Sequence, residues 1–173
     1  MILHGLSCGT RPFDRIFIPD LISLLCAKDY VVDVPALPET YFQQLQLVHL
    51  LNRMSYLDSA YGLAGLDTIV GHSYGGGLAL IIAQYFKVRR LVLLAPFFHE
   101  NILEMLNVTS IAKRVKQIVI VYEPNDPLIP EEDILQLYNK LTLAQIKVEL
   151  KSLDSEDHLC NLSQEKLGQI LSQ

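Results

Sequence analysis

Cysteine is scarce. Cys8, Cys26 and Cys160 are odd in number, widely spaced and without a CxxC pair, which argues against both a zinc site and a disulfide framework. Dense positive charge is missing as well. Lys87, Arg89 and Arg90, and Lys113, Arg114 and Lys116, are brief clusters in a chain with 14 basic and 19 acidic residues and a net charge of −5. Phosphate-backbone binding is therefore disfavoured. No apolar run approaches the roughly 18 residues that a membrane span requires. The opening Met1-Ile2-Leu3-His4-Gly5 lacks the charged and apolar regions of a secretory signal. These absences predict a cytoplasmic protein that neither inserts into a membrane nor binds nucleic acid.

What is present is apolar residue in quantity. Half of the 173 residues are hydrophobic and 19% are charged, enough to bury a large core, and the length suits one domain over 1–173 rather than two. Short β-branched runs alternate with longer amphipathic stretches. Strands are predicted at 1–4, 30–34, 67–71, 89–95, 117–123 and 146–152, the continuous apolar runs among them suiting parallel strands covered on both faces. Helices are predicted at 19–28, 40–57, 74–86, 130–142 and 162–172. Pro19 before Asp20, and Pro130 before Glu131, Glu132 and Asp133, are good helix starts, because proline presets φ and the carboxylates face the positive end of the dipole. Asn161 with Gln164 reads as a capping box for the last helix. The alternation predicts an α/β fold, a mostly parallel sheet of about six strands with helices on both faces. The stretch 97–116 has room for a short helix or two, and too little for a lid domain.

Ligands of open parallel sheets bind beyond the carboxyl ends of the strands, where strand order reverses. If the first strand lies between the second and third, the chain leaves that crevice as His4-Gly5-Leu6-Ser7 and as Gly71-His72-Ser73-Tyr74-Gly75-Gly76-Gly77. The second segment carries GxSxG after an apolar strand and before an apolar helix, the setting of a nucleophile elbow. Such a turn leaves no room for side chains at Gly71 and Gly75. It strains Ser73, exposes its Oγ, and aims the next backbone N–H at the site from a helix N-terminus, where a developing oxyanion is favoured. A glycine-rich cofactor loop fits poorly: after Gly75 and Gly77 the third glycine position is Leu80, and no GK[ST] follows.

A serine nucleophile needs a base, and the base needs an orienting carboxylate. On elbow-type sheets the chain order is serine, acid, histidine. His99 and His158 are the histidines that follow Ser73. His158 lies in a polar loop after the last strand, whereas His99 comes ahead of the acid. His72 alternates away from Ser73 and reads as packing or hydrogen bonding. Asp126 is the preferred acid, since Pro127 biases it toward extended backbone and Pro130 starts the next helix. Asp154 and Asp157 are nearer His158 in sequence but read as solvated, and Glu123 is expected on the opposite face.

His4-Gly5, the Gly71–Gly76 elbow, Asp126-x-x-x-Pro130 and the late His158 together resemble the α/β-hydrolase superfamily, in its compact, nearly lidless branch of small serine hydrolases and esterases. The resemblance spans essentially the whole chain in element order. It implies Ser73 as nucleophile, His158 as base, Asp126 as orienter, and the backbone N–H groups of Leu6 and Tyr74 as oxyanion hole. It implies hydrolysis of carboxylic esters or thioesters through an acyl-enzyme, with no metal or organic cofactor and a small-molecule substrate. Larger members carry two more N-terminal strands and a cap domain, so an open site is expected here. Tyr74, Phe97, Phe98, Leu128 and Ile129 are candidate acyl-pocket walls, with core packing the competing reading for the phenylalanines. Acyl transfer would use the same residues, and a non-catalytic interaction module presenting 96–106 is the rival from another class.

Overall fold

The computed structural model describes residues 1–3, 19, 21–29, 31–35, 47–98, 100–154, 158–159 and 162–171. Five strands run in parallel, β1 (Ile2–Leu3), β2 (Thr68–His72), β3 (Val88–Leu94), β4 (Val115–Tyr122) and β5 (Val148–Ser152), and they lie side by side in chain order. The helical elements are α1 (21–26), α2 (Leu47–Tyr61), α3 (Tyr74–Tyr85), α4 (Glu100–Met105), α5 (Val108–Ala112), α6 (Glu131–Leu143) and α7 (Gln164–Leu171).

The apolar strand runs are explained by two cores, one on each face of the sheet. Leu3, Ile69, Leu91, Leu93, Ile118 and Ile120 face one core, which they share with residues of α2, α3, α5 and α6. Their alternates Ile2, Val70, Val92, Leu94, Val119 and Val121 face the other, which Leu21 and Leu25 of α1 and Leu167, Ile170 and Leu171 of α7 complete. A strand buried on both faces has no polar side to show, so its sequence reads as an unbroken apolar run. Truncating one of these side chains, as in Leu91→Ala, is expected to cost about 2–5 kcal/mol.

α3 is apolar around most of its circumference and has ten of its twelve residues buried, as a helix sandwiched between a sheet and other helices must be. α6 starts as its sequence predicts, with Pro130 at the N-cap and three carboxylates in the first turn. Lys140, one turn from its end, hydrogen-bonds the carbonyls of Leu103 and Glu104 and ties α4 to α6.

Three expectations change. The stretch 31–35 is not a strand: among the described residues its link to β1 is a single bond, from the Ile2 N–H to the Asp33 carbonyl at 2.8 Å. It lies at the sheet margin with Val31 93% exposed, and Pro35, lacking an N–H, offers no donor to extend a ladder. Among the described residues that makes five strands, close to the six or so expected. The bond nevertheless places this segment on the side of β1 away from β2, so the chain reverses its order at β1. The last helix begins at Gln164, with the Ser163 Oγ accepting the Lys166 N–H at 3.2 Å, an N-cap two residues later than an Asn161 cap would be; Asn161 itself lies outside the described residues. Finally, Arg90 of the short basic cluster is buried, 6% exposed. Its Nη1 and Nη2 donate to the carbonyls of Leu171 and Ile170 at 2.9 and 3.0 Å, a cation closing the negative end of α7.

Candidate active site

Ser73 joins β2 to α3 with φ 52° and ψ −122°, a conformation costing a non-glycine residue on the order of 1–3 kcal/mol. Its neighbours hold it there. The Ser73 N–H donates to the Leu94 carbonyl at 2.9 Å, and the Ser73 carbonyl accepts from Gly76 and Phe97, each at 2.9 Å. The strained residue is therefore clamped on both sides to the exit of β3. A Cβ on Gly71 would lie 2.7 Å from the Gly75 carbonyl carbon, so no side chain fits there. A Cβ on Gly76 would lie 2.7 Å from the Pro96 Cβ, and one on Gly77 would press against the Phe97 carbonyl oxygen. The steric need for glycine thus includes positions 76 and 77, where α3 nests against the β3 exit. The run of three glycines was the signal for it.

Asp126 follows β4 in a tight turn. Its Oδ1 accepts the backbone N–H groups of Leu128 and Ile129 at 2.8 and 3.0 Å, and its Oδ2 lies 2.7 Å from His158 Nδ1. Both side chains are almost wholly buried, 5% exposed for His158 and 2% for Asp126. Burial pushes the Asp126 carboxyl up, but the bonds from His158 and the two backbone donors outweigh it, and the group sits below the ordinary carboxylate value. An ionised carboxylate only accepts, so the proton of the shared bond resides on His158 Nδ1.

His158 and Leu159 both have positive φ, 61° and 57°. His72 links these two residues to the elbow. The His72 Nε2 lies 3.0 Å from the His158 carbonyl oxygen, and the two rings meet edge to face with centroids 4.9 Å apart. A carbonyl only accepts, so His72 carries its proton on Nε2. The sequence reading left His72 as a packing or hydrogen-bonding residue without a partner; the structure supplies the partner. The histidine–acid pair is thereby attached to the residue beside Ser73. Among the described residues the Ser73 hydroxyl makes no hydrogen bond to His158.

The remaining sequence-picked residues divide. Leu6, His4, His99, Asp157, Cys8 and Cys160 lie outside the described residues. Tyr74 opens α3, so its N–H is at the helix N-terminus, while its side chain is buried with Phe98 and Ile129 in the core under the site. Phe97 is half-buried against the same core and Leu128 is 48% exposed, so these five do not form one wall. Asp154 is exposed. Glu123 is 1% exposed, and neither carboxylate oxygen has a hydrogen-bond partner among the described residues. Among those residues no three His, Cys, Asp or Glu side chains are grouped to hold a metal ion. No helix among them is long and apolar enough to cross a membrane.

No family model matches the chain, and no curated protein matches it. Solved structures do. An α/β hydrolase enzyme from a sediment metagenome of the Mar Chica lagoon superposes with a TM-score of 0.68 at 22% identity, over 98% of this chain and 86% of that one. A protein of Xanthomonas campestris pv. campestris, described as a hydrolase of the α/β superfamily, gives 0.66 at 19% identity over 98% and 95%. The esterase Pf2001 of Pyrococcus furiosus gives 0.62 at 16% identity over 98% and 79%. The chain has the α/β-hydrolase fold. The turn after β2, the turn after β4 and the segment after β5 all leave the same edge of this parallel sheet, which is where Ser73, Asp126 and His158 stand.

Proposed function

We propose that this protein is a serine hydrolase of carboxylic esters or thioesters, with Ser73 as nucleophile, His158 as general base and Asp126 as the carboxylate that orients it. The observation that carries this reading is the buried Asp126–His158 pair, 2.7 Å apart, docked through His72 beside a serine held at positive φ. An imidazole fixed with its proton on Nδ1 presents Nε2 as the acceptor a serine hydroxyl requires.

In the first half-reaction Ser73 Oγ attacks the substrate carbonyl carbon while His158 Nε2 takes the hydroxyl proton. The negative charge on the carbonyl oxygen is met by the Tyr74 N–H at the start of α3, with Leu6 as the second donor. The C–O or C–S bond breaks as His158 returns its proton to the leaving alcohol or thiol. Water, deprotonated by the same nitrogen, then splits the acyl-serine. Hydrogen bonds between nucleophile and base are often long without substrate and tighten when it binds, so the lack of a Ser73–His158 bond among the described residues is compatible with this sequence of steps. The names of the structural neighbours, hydrolases and an esterase, point the same way.

Steady-state turnover of p-nitrophenyl acetate tests the proposal. The wild-type chain is expected to hydrolyse it with a burst of p-nitrophenol, and Ser73→Ala to fall to background. Equal turnover by the two proteins would contradict it.

A further inference from the structure

The edge of the sheet opposite Ser73 carries a feature the proposed reaction does not use. There the chain enters β3 and β4 side by side: Val88 pairs with Val115, and the Val88 N–H donates to the Arg114 carbonyl at 3.2 Å. This pairing brings together the two basic stretches that look sparse and separate in the sequence. Lys87 and Arg89 at the start of β3, and Lys113, Arg114 and Lys116 at the start of β4, line an open groove of about 490 Å³ with the 65–67 turn as its third side. Five of the chain's 14 basic residues meet here, in a protein whose net charge is −5.

Counter-charge is short in the groove. Its one lining carboxylate is Asp67, already held by Arg89 through Nε and Nη2 at 2.5 and 2.7 Å. Arg89 brings that carboxyl down to about 2, so Asp67 is ionised and its charge is taken up by Arg89, leaving the lysines and Arg114 as the groove's uncompensated cations. Among the described residues no carboxylate forms an ion pair with Lys87, Lys113, Arg114 or Lys116. Between the cations the lining is apolar, with Leu66, Val88 and Val115. The volume falls in the range of small-molecule sites, on the order of 300–1,000 Å³. Lysine ammoniums and a guanidinium around one concavity suit phosphate, which brings up to two charges and three acceptor oxygens where a carboxylate brings one and two. A nucleic-acid duplex fits less well, because the cations line a pocket rather than a stripe and the rest of the chain is acidic.

We propose that this groove is a second binding site, remote from Ser73, for a small organic phosphate whose phosphate oxygens engage Lys113, Arg114 and Lys116 and whose carbon portion rests on Leu66.

The test is isothermal titration of the full chain with inorganic tripolyphosphate at about 0.15 M ionic strength, where diffuse surface attraction is screened within ~8 Å. Saturable one-to-one binding is expected. It should weaken on the order of tenfold or more in Lys113→Gln/Lys116→Gln and less in Lys87→Gln, and be unchanged in Ser73→Ala. The substituted lysines are exposed, and unchanged far-ultraviolet circular dichroism checks that the variants fold. No binding by the wild type, or undiminished binding by the double variant, would overturn the proposal. So would citrate binding as tightly as tripolyphosphate, which signals mere charge attraction, or a short DNA duplex binding more tightly, which signals a nucleic-acid surface.

Discussion

His72 Nε2 donates to the backbone carbonyl of His158 across 86 residues of chain, at 3.0 Å and within the buried interior. This bond connects the elbow to the histidine loop. On the proposed reading His72 is a positioning residue: it touches no reacting atom, and its bond bears on where the His158 ring stands. Replacing it by Phe keeps a flat ring and leaves the His158 carbonyl without its donor, at a cost of about 1–3 kcal/mol. Because small displacements of a catalytic group carry large rate penalties, His72→Phe is expected to lower kcat by on the order of 10²-fold while KM changes little. His72→Gln, which can still donate, should recover part of the loss. Stopped-flow acylation rates for the three proteins check this. Equal losses in both variants would reduce His72 to packing.

Asp126→Asn removes the acceptor that fixes the tautomer of His158. A fall in kcat of on the order of 10³–10⁴ is expected, with the fold retained. Asp154→Asn, at an exposed position, should cost far less. A reversed ranking in ester turnover would move the acid onto the histidine loop.

The same carboxylate makes a prediction for acid stability. Its folded value lies below the ordinary 3.8, so the folded state binds this proton less readily than the unfolded chain. The resulting stability is fully present above the unfolded value and is lost as pH falls through the folded one. Asp67, held at about 2 by Arg89, acts in the same direction, but its half-exposed pair contributes little through solvent screening. Urea unfolding of wild type and Asp126→Asn at neutral pH and below pH 3.8 isolates the Asp126 part. The gap between the two proteins should narrow on acidification; a gap independent of pH would contradict the assignment.

Glu123 yields a stability prediction of opposite sign. A buried carboxyl with no hydrogen-bond partner among the described residues gives up its hydration for no bond in return. Glu123→Met, similar in length and apolar, is expected to stabilise the fold by about 1 kcal/mol or more in chemical denaturation. A loss of stability would mean that the carboxyl has a structural role.

Substrate size follows from the roof of the site. Among the described residues the chain between β3 and β4 forms the short helices α4 and α5, while Tyr74, Phe98 and Ile129 are committed to the core. Each further buried methylene could contribute about 0.8 kcal/mol, nearly fourfold in kcat/KM, but an open site forfeits most of that beyond a few carbons. p-Nitrophenyl acetate and butyrate should therefore be turned over better than the decanoate. A steady rise from acetate to decanoate would show that a closed acyl channel forms.

The sequence made legible what depends on one element at a time. β2, β3 and β4 could be read because burial on both faces makes each an apolar run, and α6 because Pro130 and three carboxylates mark its start. Ser73, Asp126 and His158 stand out as candidates from the glycines of a turn, the prolines around a loop, and chain order, and the structure brings Asp126 and His158 together. What could not be read depends on elements meeting in space. The 31–35 segment has strand-like residues but a single bond to β1. Gly76 and Gly77 are required by Pro96 and Phe97, on the next strand's exit. Arg90 belongs to a short basic cluster in sequence, and its burial follows only from the carbonyls that α7 offers its guanidinium. His72 acquired its role only once the loop at 158 folded back against it, and the basic groove exists because β3 and β4 pair in register.

The central claim is that Ser73 is an activated nucleophile, and covalent labelling with a fluorophosphonate probe, mapped by peptide mass spectrometry, tests it most directly. The account predicts a single adduct on the peptide that carries Ser73, abolished in Ser73→Ala and strongly slowed in Asp126→Asn. An unlabelled wild-type protein, or an adduct on another serine that persists in Ser73→Ala, would contradict it.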